Sequence, residues 1–189
     1  AQLPSPFKAL QMGSVWRADR PQRGRFRQFV QCDIDILGEP TCLAEIELIL
    51  ATTTLLGKLN FKDFKVRINE RRILKAMASY SGFTEDQYDQ VFIILDKMDK
   101  IGWDGVKAEL IESGYPEANV EKYVTMFDEM EKAEDALAYL SEKLSGVLEE
   151  DVIENLRTIR TSVEATAASQ FQLVFDPTLV RGMSYYTGT

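Results

Sequence analysis

Between Trp16 and Val30 the chain reads Arg17-Ala18-Asp19-Arg20-Pro21-Gln22-Arg23-Gly24-Arg25-Phe26-Arg27-Gln28-Phe29, with five arginines in eleven residues. A guanidinium holds phosphate oxygens through two parallel hydrogen bonds. Phe29, four residues after Arg25, offers a platform for a purine base. The same composition also suits an exposed basic hairpin that binds nothing. Gln31, Asp33 and Asp35 follow Phe29 at two-residue spacing and so share its face of a strand. Acids on such a face suit a cationic ligand, and a solvent-facing strand accounts for them as well. A third group is Arg181-Gly182-Met183-Ser184-Tyr185-Tyr186-Thr187-Gly188. Glycine lets backbone approach a ligand closely, and the tyrosine hydroxyls supply hydrogen bonds. Taken alone, this group reads more simply as a surface turn.

Composition narrows the chemistry. The 189 residues include no histidine, which excludes His-centred catalysis and His-ligated metal within this chain. Two cysteines cannot supply a four-ligand zinc cluster, and a disulfide framework does not suit a chain of this length. With 45% hydrophobic and 28% charged residues, the composition is that of a globular protein. No apolar run approaches the roughly 18 residues of a membrane span, and no leader opens the chain, so a cytoplasmic location without membrane contact is expected.

The net charge of −8 is unevenly spread. Residues 1–30 carry six basic residues against one acid, and residues 81–154 carry 20 acids against six lysines. A basic head and an acidic middle imply different tasks. The head suits phosphates. The acidic middle repels a nucleic-acid backbone, except at a local strip such as Lys97, Lys100 and Lys107, and reads most simply as solvated helix faces.

The elements that must position these groups follow from periodicity. Leu10 to Arg17 reads as a strand, and Arg25 to Leu37 as a second one with period two. Its apolar face, Val30, Cys32, Ile34 and Ile36, is expected to be buried and its odd face polar. The pair forms an antiparallel hairpin with a long basic loop. Thr41–Leu59 reads as a helix, Phe64–Ile68 as a strand, and Asn69–Tyr80 as a helix stopped near Gly82. Thr84 and Gln87 form a capping box. Further helices open at Asp104 and Pro116, run through Leu137–Leu144, and end with Val152–Val163. Phe171–Phe175 returns to strand.

Residues 16–38, WRADRPQRGRFRQFVQCDIDILG, resemble motif 2 of class II aminoacyl-tRNA synthetases in its histidine-specific form. Residues 179–189, LVRGMSYYTGT, resemble the signature peptide of histidyl-tRNA synthetases. The motifs stand in the family's order, separated by a helical insertion of about the family's size. The resemblance covers essentially the whole chain and implies an α+β fold. Residues 1–82 and 169–189 would form part of the class II antiparallel sheet with flanking helices, and residues 83–168 an all-α insertion domain.

The resemblance also implies ATP-dependent activation of histidine to histidyl-adenylate, then transfer to the acceptor end of tRNA(His). It implies ATP with Mg2+ as cofactor, no protein-bound metal, and a homodimer in the intact protein. Arg17 matches the arginine on the α-phosphate, Arg25 the arginine on the outer phosphates, and Phe29 the aromatic stacked on adenine. Gln31 matches a residue near the histidine amino group, and Asp35 the acid that helps read the imidazole. Arg181 matches the signature arginine, placing positive charge beside the α-phosphate at the histidine site. Tyr186 matches the tyrosine on the imidazole, with Tyr185 beside it. Arg20, Gln22 and Arg23 fall in the loop that meets the tRNA acceptor end. Asp19 and Asp35 stand where the family often has Glu, and Ser184 where it often has Asp. The family's first motif, third motif and anticodon-binding domain have no counterpart in this sequence, so the isolated chain is expected to be inactive. The alternative is a non-catalytic synthetase-like regulatory subunit of histidine biosynthesis. The retained Arg17, Arg25, Arg181 and YYTG peptide favour the enzyme.

Overall fold

The computed structural model of the chain describes residues 3–180 and 187–189. Strands β1 (Phe7–Trp16) and β2 (Gln28–Leu37) pair antiparallel, with Leu10 opposite Ile34 and Val15 opposite Phe29. One further bond, Arg17 N to Arg27 O at 2.8 Å, carries the ladder into the loop. A tight turn caps the loop, where Gln22 and Arg25 exchange backbone hydrogen bonds of 3.1 and 2.9 Å. Gly24 sits in this turn at φ +79°, a left-handed conformation that costs glycine little. Arg25 therefore belongs to the turn, and β2 begins three residues later than its alternation predicts. β1 in turn starts at Phe7, ahead of the expected Leu10.

From Phe29 to Ile34 the burial of β2 reverses expectation, while Asp35 is exposed and Ile36 half-buried. Val30 is 67% exposed and Ile34 40% exposed, and Cys32 is also in solvent, whereas Phe29, Gln31 and Asp33 are half-buried. The hairpin is two-stranded, and Leu10, Met12 and Trp16 across the ladder are likewise exposed. The polar side chains shield one another through hydrogen bonds, while Val30, Cys32 and Ile34 stay open to solvent.

Helix α1 (Leu43–Lys58) follows, then β3 (Phe64–Ile68) and α2 (Arg71–Tyr80). Glu70 caps α2, its side chain accepting from Arg72 N. The capping box of Thr84 and Gln87 forms and opens a short 3-10 turn before α3 (Tyr88–Leu95). Helix α4 spans Met98–Glu112, six residues ahead of the expected Asp104, with a break at Gly102, where φ is 66° and ψ 177°. Pro116 stands immediately before α5 (Glu117–Lys132), where its missing N–H costs nothing. Asp135 caps α6 (Ala136–Lys143) by accepting from Leu137 N and Ala138 N. Helix α7 (Glu150–Thr166) leads to β4 (Phe171–Phe175).

β3 and β4 pair in parallel, Phe64 with Phe171 and Ile68 with Phe175, so the described strands form two separate two-stranded sheets, one antiparallel and one parallel, in place of the expected part of one antiparallel sheet. A parallel partner needs a long crossover, and helices α2–α7 supply it. The main core joins Ile73 and Met77 of α2 to Phe92, Leu110, Tyr123, Leu140 and Leu156 of the later helices, and to Val180. A smaller cluster of Ile46, Ile159 and Val163 seats α1 and α7 against Ile68, Phe171 and Leu173. Among the described residues no helix is long and apolar enough to cross a membrane.

Candidate functional site

The hairpin brings the first two groups of the sequence onto one face. Odd-numbered residues of β1 and β2 point the same way, because Gly13 pairs with Gln31 and Val15 with Phe29. Arg17, just past β1, folds back over this face. Its guanidinium carbon lies 5.0 Å from the Phe29 ring centroid, and Nη2 donates to Gln31 Oε1 at 3.1 Å. Gln31 Nε2 in turn donates to both Asp33 carboxylate oxygens, at 2.7 and 2.9 Å. The resulting row of cation, aromatic ring, amide and acid is locked side to side. Asp35 lies further along the same face and accepts from Gln11 Nε2 at 3.4 Å.

Asp19 organises the loop. Arg25 donates to its carboxylate through Nε and Nη2, at 3.3 and 3.1 Å, and Arg27 Nε donates to its carbonyl at 3.0 Å. Arg20, Gln22 and Arg23 are exposed at the loop tip, and neither arginine makes an ion pair among the described residues. Such a surface presents several guanidinium groups to an anion and one aromatic ring to a flat ligand.

Arg181, Tyr185 and Tyr186, with Ser184, lie outside the described residues; their neighbours do not. On one side, Asn69 Nδ2 donates to Leu179 O at 2.8 Å. On the other, Arg71 N donates to Gly188 O at 3.0 Å and Thr189 Oγ1 to Glu70 Oε2 at 3.0 Å. A cavity of about 300 Å3 opens beside these contacts, lined in part by Glu45, Ile49, Arg67, Asn69 and Gly188. Glu45 Oε2 is buried without a hydrogen-bond partner among the described residues. Sequence reasoning missed Glu45, Asn69 and Glu70. The only available signal was Asn69-Glu70 at a helix start, which reads as ordinary capping. A larger cleft of about 780 Å3, between the β3–β4 pair and the later helices, is lined by none of the predicted site residues.

The ionic setting around this flank is firm. Arg67 donates from Nε to Asp176 Oδ2 at 2.5 Å, and that bond raises its already high pKa. Burial pushes the Asp176 carboxyl up, but hydrogen bonds from Thr178 and Arg67 more than offset this and hold it below its usual range. Arg72 is raised chiefly by its hydrogen bond to Glu70. Among the described residues no group of three or more Cys, Asp or Glu side chains could hold a metal ion.

Comparison with known proteins gives a consistent outcome. A family model described as histidyl-tRNA synthetase matches residues 1–189. A histidine–tRNA ligase of Leifsonia xyli subsp. xyli (strain CTCB07) is 44% identical over 192 residues, covering 100% of this chain and 44% of that protein. The crystal structure of a histidyl-tRNA synthetase from Nostoc sp. PCC 7120 superimposes with a TM-score of 0.82 at 29% identity, covering 99% of this chain and 43% of that one. A structure described as an ATP phosphoribosyltransferase regulatory subunit/histidyl-tRNA synthetase, from Bacillus halodurans C, shares the fold with a TM-score of 0.76 at 20% identity, covering 98% of this chain and 47% of that one. The chain thus spans less than half the length of these relatives.

Proposed function

Because the chain belongs to the histidyl-tRNA synthetase family, we propose that it forms part of a catalytic core that activates histidine with ATP and passes it to tRNA(His). One observation carries the reading: the Arg17 guanidinium, the Phe29 ring and the Gln31 amide stand side by side on one hairpin face. A phosphate on Arg17 and a purine on Phe29, 5.0 Å from it, belong to a single nucleotide.

In the first step a histidine carboxylate oxygen attacks the α-phosphorus, a phosphorus–oxygen bond forms, the bond to the β-phosphate breaks, and pyrophosphate leaves. Negative charge grows on the non-bridging oxygens. Preorganised guanidinium groups stabilise it, Arg17 from the hairpin and Arg181 from the signature peptide. Arg25, aimed by Asp19, holds the outer phosphates. Gln31 and Asp35 with Tyr185 and Tyr186 hold the histidine. ATP would enter as its Mg2+ complex, the cation offsetting charge on the phosphates. In the second step a hydroxyl of the terminal adenosine attacks the acyl carbon and AMP leaves, with Arg20, Gln22 and Arg23 meeting the acceptor end.

Residues 83–168 serve as the helical insertion, and the intact protein works as a homodimer in the cytoplasm. Histidine-dependent ATP–pyrophosphate exchange, in a protein of the relatives' full length that contains this chain, is the test. Exchange driven by histidine alone among the amino acids is expected. Its absence, with histidine still bound, would favour the regulatory reading instead.

A further inference from the structure

Asp33 stands in the row on the hairpin face, yet the function proposed above gives it no task. A glutamine amide has two orientations related by a half-turn, which exchange its oxygen and its NH2. Asp33 decides between them for Gln31. A carboxylate only accepts, and Gln31 Nε2 lies 2.7 and 2.9 Å from its two oxygens. The amide oxygen is left free of Asp33 and accepts from Arg17 Nη2 at 3.1 Å. Arg17 favours the same orientation, but its donors are those a phosphate recruits. Asp33, two residues along the same strand, orients the amide without help from Arg17.

The space across the ladder from Gln31 is open. Its partner there is Gly13, on the same face of the hairpin. A side chain at that position would stand about 5 Å from Gln31, and a Cβ built on Gly13 meets no atom within 4 Å. Gly13 is not among the glycines with positive φ, so the backbone does not require glycine here. Glycine inside a strand weakens it, and one use that repays this is the close approach of a ligand. Gln11 and Val15 flank the gap along β1, and Gln11 Nε2 reaches over to Asp35 at 3.4 Å. An amide oxygen with a second lone pair and two acids thus border a space that only a glycine leaves open.

We propose that Gly13 and Asp33 build a seat for an ammonium group. Gly13 keeps the space open, and Asp33 engages the NH2 end of Gln31, so that the oxygen is the end left for a ligand. Gly13 is then a specificity-determining residue, and Asp33 a positioning residue that acts through Gln31. An ammonium has donors only, so it needs that oxygen and is repelled by an NH2. The inference rests on the functional reading above, which places histidine on this face; the ammonium is its α-amino group.

The experiment uses a protein of the relatives' full length that contains this chain, and two probes in binding calorimetry. Histidinol carries the amino group without the carboxylate, and imidazolepropionate carries the carboxylate without the amino group. Gly13→Ala fills the gap, Asp33→Leu removes the acceptor, and Asp33→Asn keeps one oxygen for Gln31 Nε2. Gly13→Ala and Asp33→Leu are each expected to weaken histidinol about tenfold, the usual scale of one hydrogen bond to a charged group, and imidazolepropionate by about twofold or less. KM for histidine in pyrophosphate exchange should rise in step, with KM for ATP nearly constant and Asp33→Asn close to wild type. Gly13→Ala should keep the wild-type melting temperature, because its Cβ enters open space. Unchanged histidinol binding in both Gly13→Ala and Asp33→Leu would overturn the proposal. So would equal weakening of the two probes, which marks a general distortion of the hairpin, or an Asp33→Asn as poor as Asp33→Leu. A wild type that binds neither histidine nor histidinol overturns the functional reading itself, and the seat with it; one that binds both while the variants are indifferent overturns the seat alone.

Discussion

The hairpin and the helical body treat charge in opposite ways. In the hairpin loop Arg20 and Arg23 stand in solvent without ion pairs among the described residues, while Arg25 pairs with the Asp19 carboxylate and Arg27 donates to the Asp19 carbonyl. In the body, lysines are matched to acids: Lys97 to Glu109, Lys107 to Glu121, Lys132 to Asp128 and Lys143 to Glu129. The contrast extends to apolar surface. The body closes on Phe92, Leu110, Tyr123 and Leu140, all fully buried, while the hairpin leaves Leu10, Met12, Trp16 and Val30 in solvent. One region leaves Arg20 and Arg23 in solvent, and the other pairs lysines with its own acids. Of the strip Lys97, Lys100 and Lys107, Lys97 and Lys107 are paired with acids within the helices.

The sharpest way to break this comparison is a pair of substitutions with large and opposite effects. Arg17→Ala, in a protein of the relatives' full length, should cost about 10²–10³ in the rate of pyrophosphate exchange, the usual loss for one preorganised donor. It should leave the melting temperature unchanged, since Arg17 is exposed. Leu140→Ala should do the reverse. Leu140 is fully buried, and removing a buried leucine costs about 2–5 kcal/mol in the transfer of its methyls and the cavity left behind. Denaturant melts should show that loss while kcat of the folded fraction holds. A stability defect from Arg17→Ala as large as that from Leu140→Ala would erase the distinction.

A smaller effect concerns the peptide that carries Tyr186. On the proposed reading, Tyr186→Phe removes a hydrogen bond made to histidine in the ground state as well as in the transition state. KM for histidine should therefore rise, about tenfold, more than kcat falls. Exchange rates measured against histidine concentration decide it, and a fall in kcat alone would contradict the assignment.

The smallest effect belongs to the body. Asp135 caps α6 and pairs with Arg157 at 2.7 Å, so Asp135→Ala should cost about 1 kcal/mol in thermal or urea melts. The Arg157 hydrogen bond, then the Ala138 N–H, holds this carboxyl below its ordinary 3.8. Its stabilisation is therefore complete above that value and is lost as the pH falls through the lower folded value. The variant and wild type should converge in stability in acid. A gap that widened there would reverse the sign.

Local order was legible wherever neighbours along the chain decide it. Strand β3 has the bounds its apolar pattern indicates, the Thr84–Gln87 box forms, and Pro116 leads into its helix. The shared face of Phe29, Gln31, Asp33 and Asp35 follows from the two-residue period alone, and the register then brings Arg17 over it. Other features depend on distant partners. Which face of β2 meets solvent depends on what packs against the hairpin, so Val30 and Ile34 emerged exposed. The start of α4 moved to Met98 because helix resumes on both sides of the break at Gly102.

By itself, the sequence determined the periodicities, the caps and the order of its motifs, because backbone geometry and local hydrogen bonding set these over a few residues. Tertiary structure alone decided that β4 returns parallel to β3 and that residues 67–71 meet residues 176–179 and 188–189. Those contacts join positions more than 100 residues apart, and no local pattern encodes which buried carboxylate will find which hydroxyl. In the chain Glu70 falls in the first turn of a helix read from Asn69; only the folded molecule makes it the cap of α2 and puts Thr189 Oγ1 3.0 Å from it.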